Sequence, residues 1–146
     1  MTRLHHTGMT VSDLDASVAF YRDVVGFEVV FTQEKRGGYL ADIVGYPGAY
    51  VRMAHLALPG SDHRLELFQY LVPDPVVRRP EPRETGLTHV CLVVDDVDAA
   101  TARLLAGGAT AATGPVAVDT GANAGGRALY LRDPDGIVVE LFQPPS

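Results

Sequence analysis

The chain repeats itself. Residues 6–17 read His-Thr-Gly-Met-Thr-Val-Ser-Asp-Leu-Asp-Ala-Ser, and residues 89–100 read His-Val-Cys-Leu-Val-Val-Asp-Asp-Val-Asp-Ala-Ala. Val11, Asp13, Asp15 and Ala16 return as Val94, Asp96, Asp98 and Ala99. Further on, Glu66-Leu-Phe-Gln69 returns letter for letter as Glu140-Leu-Phe-Gln143. Because both motifs keep their order, the pattern is an internal duplication, and each copy must fold as one supersecondary unit. The first copy carries the longer stretch between its motifs, and the surplus falls in residues 37–50.

Each copy reads as β-α-β-β-β. In the first, residues 3–11 form a strand, and Ser12 or Asp13 caps the following helix. Leu14, Val18, Tyr21 and Val25 keep helical spacing, and Gly26 stops the helix. Strands follow at 27–34, 50–58 and 63–71. Residues 39–48 are too apolar for a plain loop and form a short helix or lid, with Tyr39, Tyr46 and Tyr50 as candidates to close over a ligand. In the second copy a strand at 88–94 precedes a helix at 96–106 that ends at Gly107-Gly108. Strands come next near 116–119, 127–132 and 137–143, the last two joined by a tight turn at Asp133-Pro-Asp-Gly136. Module 1 is then 1–72, a proline-rich linker covers 73–86, and module 2 is 87–146, within one domain spanning 1–146.

Composition sets the class of partner. A net charge of −6, with scattered basic residues, argues against a nucleic-acid partner, which would need a basic patch. No apolar run reaches the length of a membrane span, and no basic stretch precedes an apolar one at the N-terminus, so no membrane partner is expected. A single cysteine, Cys91, rules out an internal disulfide framework and fits a reducing, cytoplasmic setting.

The duplication marks His6 and Glu66 in the first copy, and His89 and Glu140 in the second. Each histidine lies on the first strand of its module and each glutamate on the last. If two such sheets curl around a shared cleft, two neutral imidazoles and two carboxylates suit a borderline divalent cation. The charge of such a site is near zero, which lowers the cost of burying it. Strand alternation sets His6, Gly8 and Thr10 on one face and Thr7, Met9 and Val11 on the other, with His5 opposite His6. His89, Cys91 and Val93 share a face in the second copy. Cys91 reads as a small core residue with nothing nearby to activate its sulfur. His55 and His63 are either solvated or at the cleft mouth. The paired glycines at 37–38, 107–108 and 125–126 read as turns, since none sits between a strand and a helix as a phosphate loop would. No nucleophile-elbow motif is present.

These residues resemble the vicinal oxygen chelate superfamily, the glyoxalase/bleomycin resistance/dioxygenase group. The resemblance rests on residues 6–15, on Ala19-Phe-Tyr-Arg-Asp-Val-Val-Gly-Phe27 and on Asp133-Pro-Asp-Gly-Ile-Val-Val-Glu-Leu141. It implies an α+β fold in which two βαβββ modules form a curved mixed sheet around a metal cleft, usually in a homodimer, swapped or unswapped. The family's ligand positions fall on His6, Glu66, His89 and Glu140. The set resembles glyoxalase I and, with Glu66 in place of a frequent glutamine, methylmalonyl-CoA epimerase. The resemblance implies one divalent metal per site: Ni, Co, Zn or Mn, or Fe(II) in an oxygenase. The implied activity is proton abstraction α to a carbonyl of a small thioester or hemithioacetal, with Glu140 or Glu66 as the base. A CoA thioester would call for a basic mouth, for which Arg52, Arg64 and Arg127 are the candidates. The alternatives are an Fe(II) extradiol-type dioxygenase and a binding protein that sequesters an antibiotic or other natural product.

Overall fold

The computed structural model describes residues 1–145. It forms two compact units that meet in sequence between Arg78 and Arg79, inside the proline-rich stretch.

In the first unit β1 (His6–Thr10) is followed by α1 (Leu14–Ala19). Asp13 caps α1 by accepting the Ala16 N–H at 3.0 Å, a contact of the kind that contributes about 1 kcal/mol. The predicted single helix is α-helical only for its first part. Phe20–Val25 widens into a π-helix, closed by a bond from the Gly26 N–H to the Tyr21 carbonyl, with Gly26 at φ 104°. The adjacent aromatics Phe20 and Tyr21 are both buried here, and the wider turn carries these neighbouring side chains.

The sheet continues with β2 (Glu28–Arg36), β3 (Tyr50–Ala57) and β4 (Arg64–Val72), in the spatial order β1-β4-β3-β2. β1 runs parallel to β4, and the other pairs are antiparallel. The central strands β3 and β4 show why one sheet can carry both a core and a site. Leu65 and Leu67 are buried among the residues that join Val11, Leu14, Phe20 and Tyr21 in the core. Glu66, Phe68 and Tyr70 alternate with them and so take the opposite face. At the far end of that second face lies α2 (Tyr39–Val44), where Leu40 packs with Val51 and Met53, flanked by Val44, Phe68 and Tyr70. The long segment of the first copy is therefore a helix seated on the glutamate-bearing face.

The second unit repeats the plan. β5 (Val90–Val93) leads to α3 (Val97–Ala106), capped by Asp96, which accepts the Asp98 and Ala99 N–H groups at 3.0 and 2.9 Å. Short strands β6 (Thr110–Ala111) and β7 (Val116–Ala117) edge β8 (Arg127–Arg132), which pairs with β9 (Val138–Gln143). The order is β5-β9-β8-β6, and β5 is again parallel to the last strand. Two-residue β6 is absent from the sequence reading, since so short an edge carries no alternation to detect. The Asp133–Gly136 turn forms as expected, with the Gly136 N–H bonded to the Asp133 carbonyl and the Asp133 N–H to the Ile137 carbonyl. Both sheets are mixed and carry few helices, an α+β architecture.

The repeated Gln of the Glu-Leu-Phe-Gln motif has a structural role in both units. Gln143 Oε1 accepts the Val97 N–H at the start of α3, at 2.9 Å. Gln69 Oε1 meets the Leu14 N–H at the start of α1, at 3.4 Å, and its Nε2 donates to the Ser12 carbonyl at 2.9 Å. Each glutamine thus ties its last strand to its helix N-terminus, where free N–H groups need partners.

Candidate metal-binding residues

In the first unit Glu66 sits mid-strand on β4, with Gly8 of β1 on one side and His55 of β3 on the other. His6 Nε2 lies 3.2 Å from Glu66 Oε2, and His55 Nε2 lies 2.6 Å from Glu66 Oε1. Glycine at position 8 leaves room beside the carboxylate: a Cβ there would stand 3.7 Å from Glu66 Oε2. The His55 ring meets Phe31 edge-on, centroids 6.0 Å apart, and the His6 ring at 5.9 Å.

In the second unit the rung repeats with different neighbours. Glu140 of β9 has Cys91 of β5 on one side and Tyr130 of β8 on the other. His89, just before β5, places Nε2 2.9 Å from Glu140 Oε2. The Tyr130 ring lies 4.9 Å from the His89 ring. Partial desolvation of the Cys91 sulfur, the charge of Glu140 and a hydrogen bond to it together push this thiol up to about 11. Desolvation, then the same carboxylate, raises the Tyr130 hydroxyl as well.

The structure therefore brings His6 to Glu66 in one unit and His89 to Glu140 in the other. Each pair offers a ring nitrogen and a carboxylate oxygen, donors that suit a borderline divalent cation. Among the described residues no three His, Cys, Asp or Glu side chains converge with geometry that would by itself hold a metal ion.

Three expectations need correction. His5 does not point away from His6: the strand starts at His6, so alternation does not govern residue 5, and the two Nδ1 atoms are hydrogen-bonded at 2.8 Å. Cys91 is exposed, not a core residue. It lies on the same strand face as Val93, which is also exposed, while intervening Leu92 is buried. Arg52 and Arg127 are not free to form a basic mouth. Arg52 makes a two-pronged pair with Asp15, at 3.0 and 2.8 Å, and Arg127 makes the equivalent pair with Asp98.

The tyrosines of the long segment are occupied at the surface of their own unit. The Tyr50 hydroxyl donates to Glu34 under the Arg36 guanidinium, 4.2 Å from its ring, and Tyr46 packs edge-on against Tyr70. His63 bonds through Nε2 to Thr7 Oγ1 at 2.8 Å. His55, which the sequence leaves either solvated or at the cleft mouth, is mostly shielded and joined to Glu66. Its rung partner in the second copy is Tyr130, so the repeat gave no matching letter to draw the eye.

Comparison with known proteins decides the family. The model of the Glyoxalase/Bleomycin resistance protein/Dioxygenase superfamily matches residues 3–141. The chain belongs to that superfamily.

Within the superfamily, the chain is 35% identical to a 2-epi-5-epi-valiolone epimerase of an Actinomyces species, over 98% of this chain and 80% of that one. It is 31% identical to an ethylmalonyl-CoA/methylmalonyl-CoA epimerase of Cereibacter sphaeroides, over 97% of each. Other superfamily relatives carry lactoylglutathione lyase and catechol dioxygenase names. The crystal structure of a glyoxalase family protein from Bacillus cereus matches the fold with a TM-score of 0.88, over 100% of this chain and 96% of that one at 23% identity. Superfamily members generally use a divalent metal and bind small molecules. No helix among the described residues is long and apolar enough to cross a membrane.

Proposed function

We propose that the chain is a divalent-metal-dependent isomerase or epimerase that moves a proton α to a carbonyl, with His6, Glu66, His89 and Glu140 as the metal ligands. The observation that carries this reading is the imidazole–carboxylate pair built at matching places in both units, at 3.2 and 2.9 Å. Bound there, the metal supplies Lewis-acid stabilisation of the negative charge that develops on the carbonyl oxygen. Glu140 takes the proton from the adjacent carbon; an isomerase returns it to the neighbouring carbon, and an epimerase needs a second acid to deliver a proton to the opposite face. The contacts of the two carboxylates support this division. Among the described residues Glu66 has an imidazole on each oxygen, whereas Glu140 has one imidazole, His89, and the weaker thiol donor of Cys91. A base needs to release its partner in order to take a proton, and the less tethered carboxylate does so at lower cost.

The epimerase arm draws support from two relatives, one named for a ketone substrate and one for acyl-CoA thioesters. We place this chain's substrate among small molecules with an acidic C–H beside a ketone or thioester carbonyl. The protein then acts as a cytoplasmic homodimer with nickel, cobalt, zinc or manganese. The test is solvent deuterium exchange in the metal-loaded protein, over a panel containing 2-epi-5-epi-valiolone, methylmalonyl-CoA and the glutathione–methylglyoxal hemithioacetal. Metal-dependent uptake of deuterium at the α-carbon is expected for one of them. No exchange across the panel, with iron in the purified protein and oxygen consumption on a catechol, would overturn the reading in favour of an oxygenase.

A further inference from the structure

We propose that His55 is a positioning residue that holds Glu66 through one oxygen and so leaves the other as the metal donor. This inference rests on the metal-ligand reading above and extends it to a side chain outside the duplicated set. The His55–Glu66 contact is the shortest histidine–carboxylate contact among the described residues, 2.6 Å from Nε2 to Oε1. It is also well shielded, with the two side chains 13% and 14% exposed. The second ring nitrogen, Nδ1, is buried and has no hydrogen-bond partner among the described residues.

That orphan nitrogen settles the tautomer. Nε2 faces a carboxylate oxygen, which accepts, and an orphaned buried N–H is rarer than an orphaned buried acceptor, so Nδ1 is the nitrogen left without a proton. The proton therefore sits on Nε2, and the ring donates to Glu66 Oε1. With Oε1 so engaged, Glu66 Oε2 is the oxygen left on the side of His6 Nε2. The carboxylate is presented by a single oxygen in a fixed rotamer. Outer partners that orient a ligating group in this way are worth roughly 10- to 100-fold in metal affinity.

The position is set by the fold. His55 and Glu66 are directly opposed in the β3–β4 ladder, and the ring is braced edge-on by Phe31. The matching rung of the second unit holds Tyr130 opposite Glu140. The two glutamates are therefore built alike along the backbone but oriented by different side chains.

Zinc binding to the metal-free protein, followed by competition with a chromophoric chelator, tests the proposal on the full chain. His55→Ala should weaken zinc binding about 10- to 100-fold, and His55→Gln, which keeps an N–H donor, should recover most of the loss while remaining folded without metal. Nitrogen-correlated NMR of the metal-free wild type should find the His55 proton on Nε2. Wild-type zinc affinity in His55→Ala, or a proton on Nδ1, would overturn the role of His55. His6→Ala and Glu66→Gln separate this from a failure of the ligand reading. If they too bind zinc as wild type does, the site itself is wrong. If they lose zinc while His55→Ala keeps it, only the positioning role is lost.

Discussion

The two units differ most where they should be most alike. Both carry a glutamate on the last strand, a histidine near the start of the first strand, a capping aspartate and a glutamine that ties strand to helix. Around the glutamates the resemblance stops. Glu66 lies between Gly8 and His55, and Glu140 between Cys91 and Tyr130. Duplication supplies two copies of a scaffold, and the rung neighbours then tune each copy for its own task. One carboxylate is clamped by imidazoles, and the other faces a thiol and a phenol that desolvation and then its charge keep protonated.

The sharpest way to break this comparison is to neutralise each carboxylate in turn. With metal saturating, Glu140→Gln should lower kcat by roughly 10²- to 10⁴-fold, the usual range for losing a general base. Glu66→Gln should act mainly on metal affinity, with kcat largely restored when metal is raised. Steady-state kinetics over a metal titration reads both, and the reverse pattern would assign the base to Glu66.

Cys91 offers a second probe of the same asymmetry. A thiol at about 11 is almost wholly protonated at pH 8, so iodoacetamide should label chelator-treated protein slowly, with the rate rising as pH approaches 11. Glu140→Gln removes a negative charge and a hydrogen bond that both raise this pKa. Labelling at pH 8 should then accelerate, measured by mass spectrometry, whereas Glu66→Gln should leave it unchanged.

Where the units are alike, matched substitutions should behave alike. Gln69→Ala and Gln143→Ala each unlink a strand from a helix N-terminus and should cost on the order of 1 kcal/mol in urea unfolding. A much larger loss at one of them would show that the scaffold, too, has diverged.

The smallest effect is expected at the arginine–aspartate pairs. Asp15 and Asp98 are held below the usual carboxylate range by hydrogen bonds from Arg52 and Arg127. A carboxyl lowered on folding stabilises the protein above its unfolded pKa and loses that contribution as pH falls through its folded one. Asp15→Asn and Asp98→Asn should therefore lower Tm slightly and equally near pH 7, and the difference should vanish in strong acid. Added salt should shrink it too, since both pairs are exposed.

Much of this was legible in the sequence because repetition marks what single letters cannot. A lone histidine or glutamate carries little weight, but His6, Glu66, His89 and Glu140 recur at matched places, and the helix caps and turns have specific residue signatures. The unread parts share a physical cause. Histidine 55 meets its glutamate through the register of a hairpin, and its counterpart is a tyrosine, so neither spacing nor identity repeats. The contact of His5 with His6 depends on where the strand begins, and boundaries are the weakest product of periodicity. The π-helical turn at Phe20–Val25 breaks the 3.6-residue rhythm of an α-helix.

The turn between β3 and β4, residues 58–63, holds no group assigned to the site, yet its length decides what Glu66 meets. Side chains alternate along a strand, so shortening or lengthening this turn so that the ladder slips by one rung would set Ala54 or Leu56 against Glu66 and send His55 to the face of Leu65 and Leu67. An insertion in this loop, several residues from any ligand, would rewrite the site as thoroughly as replacing the histidine itself.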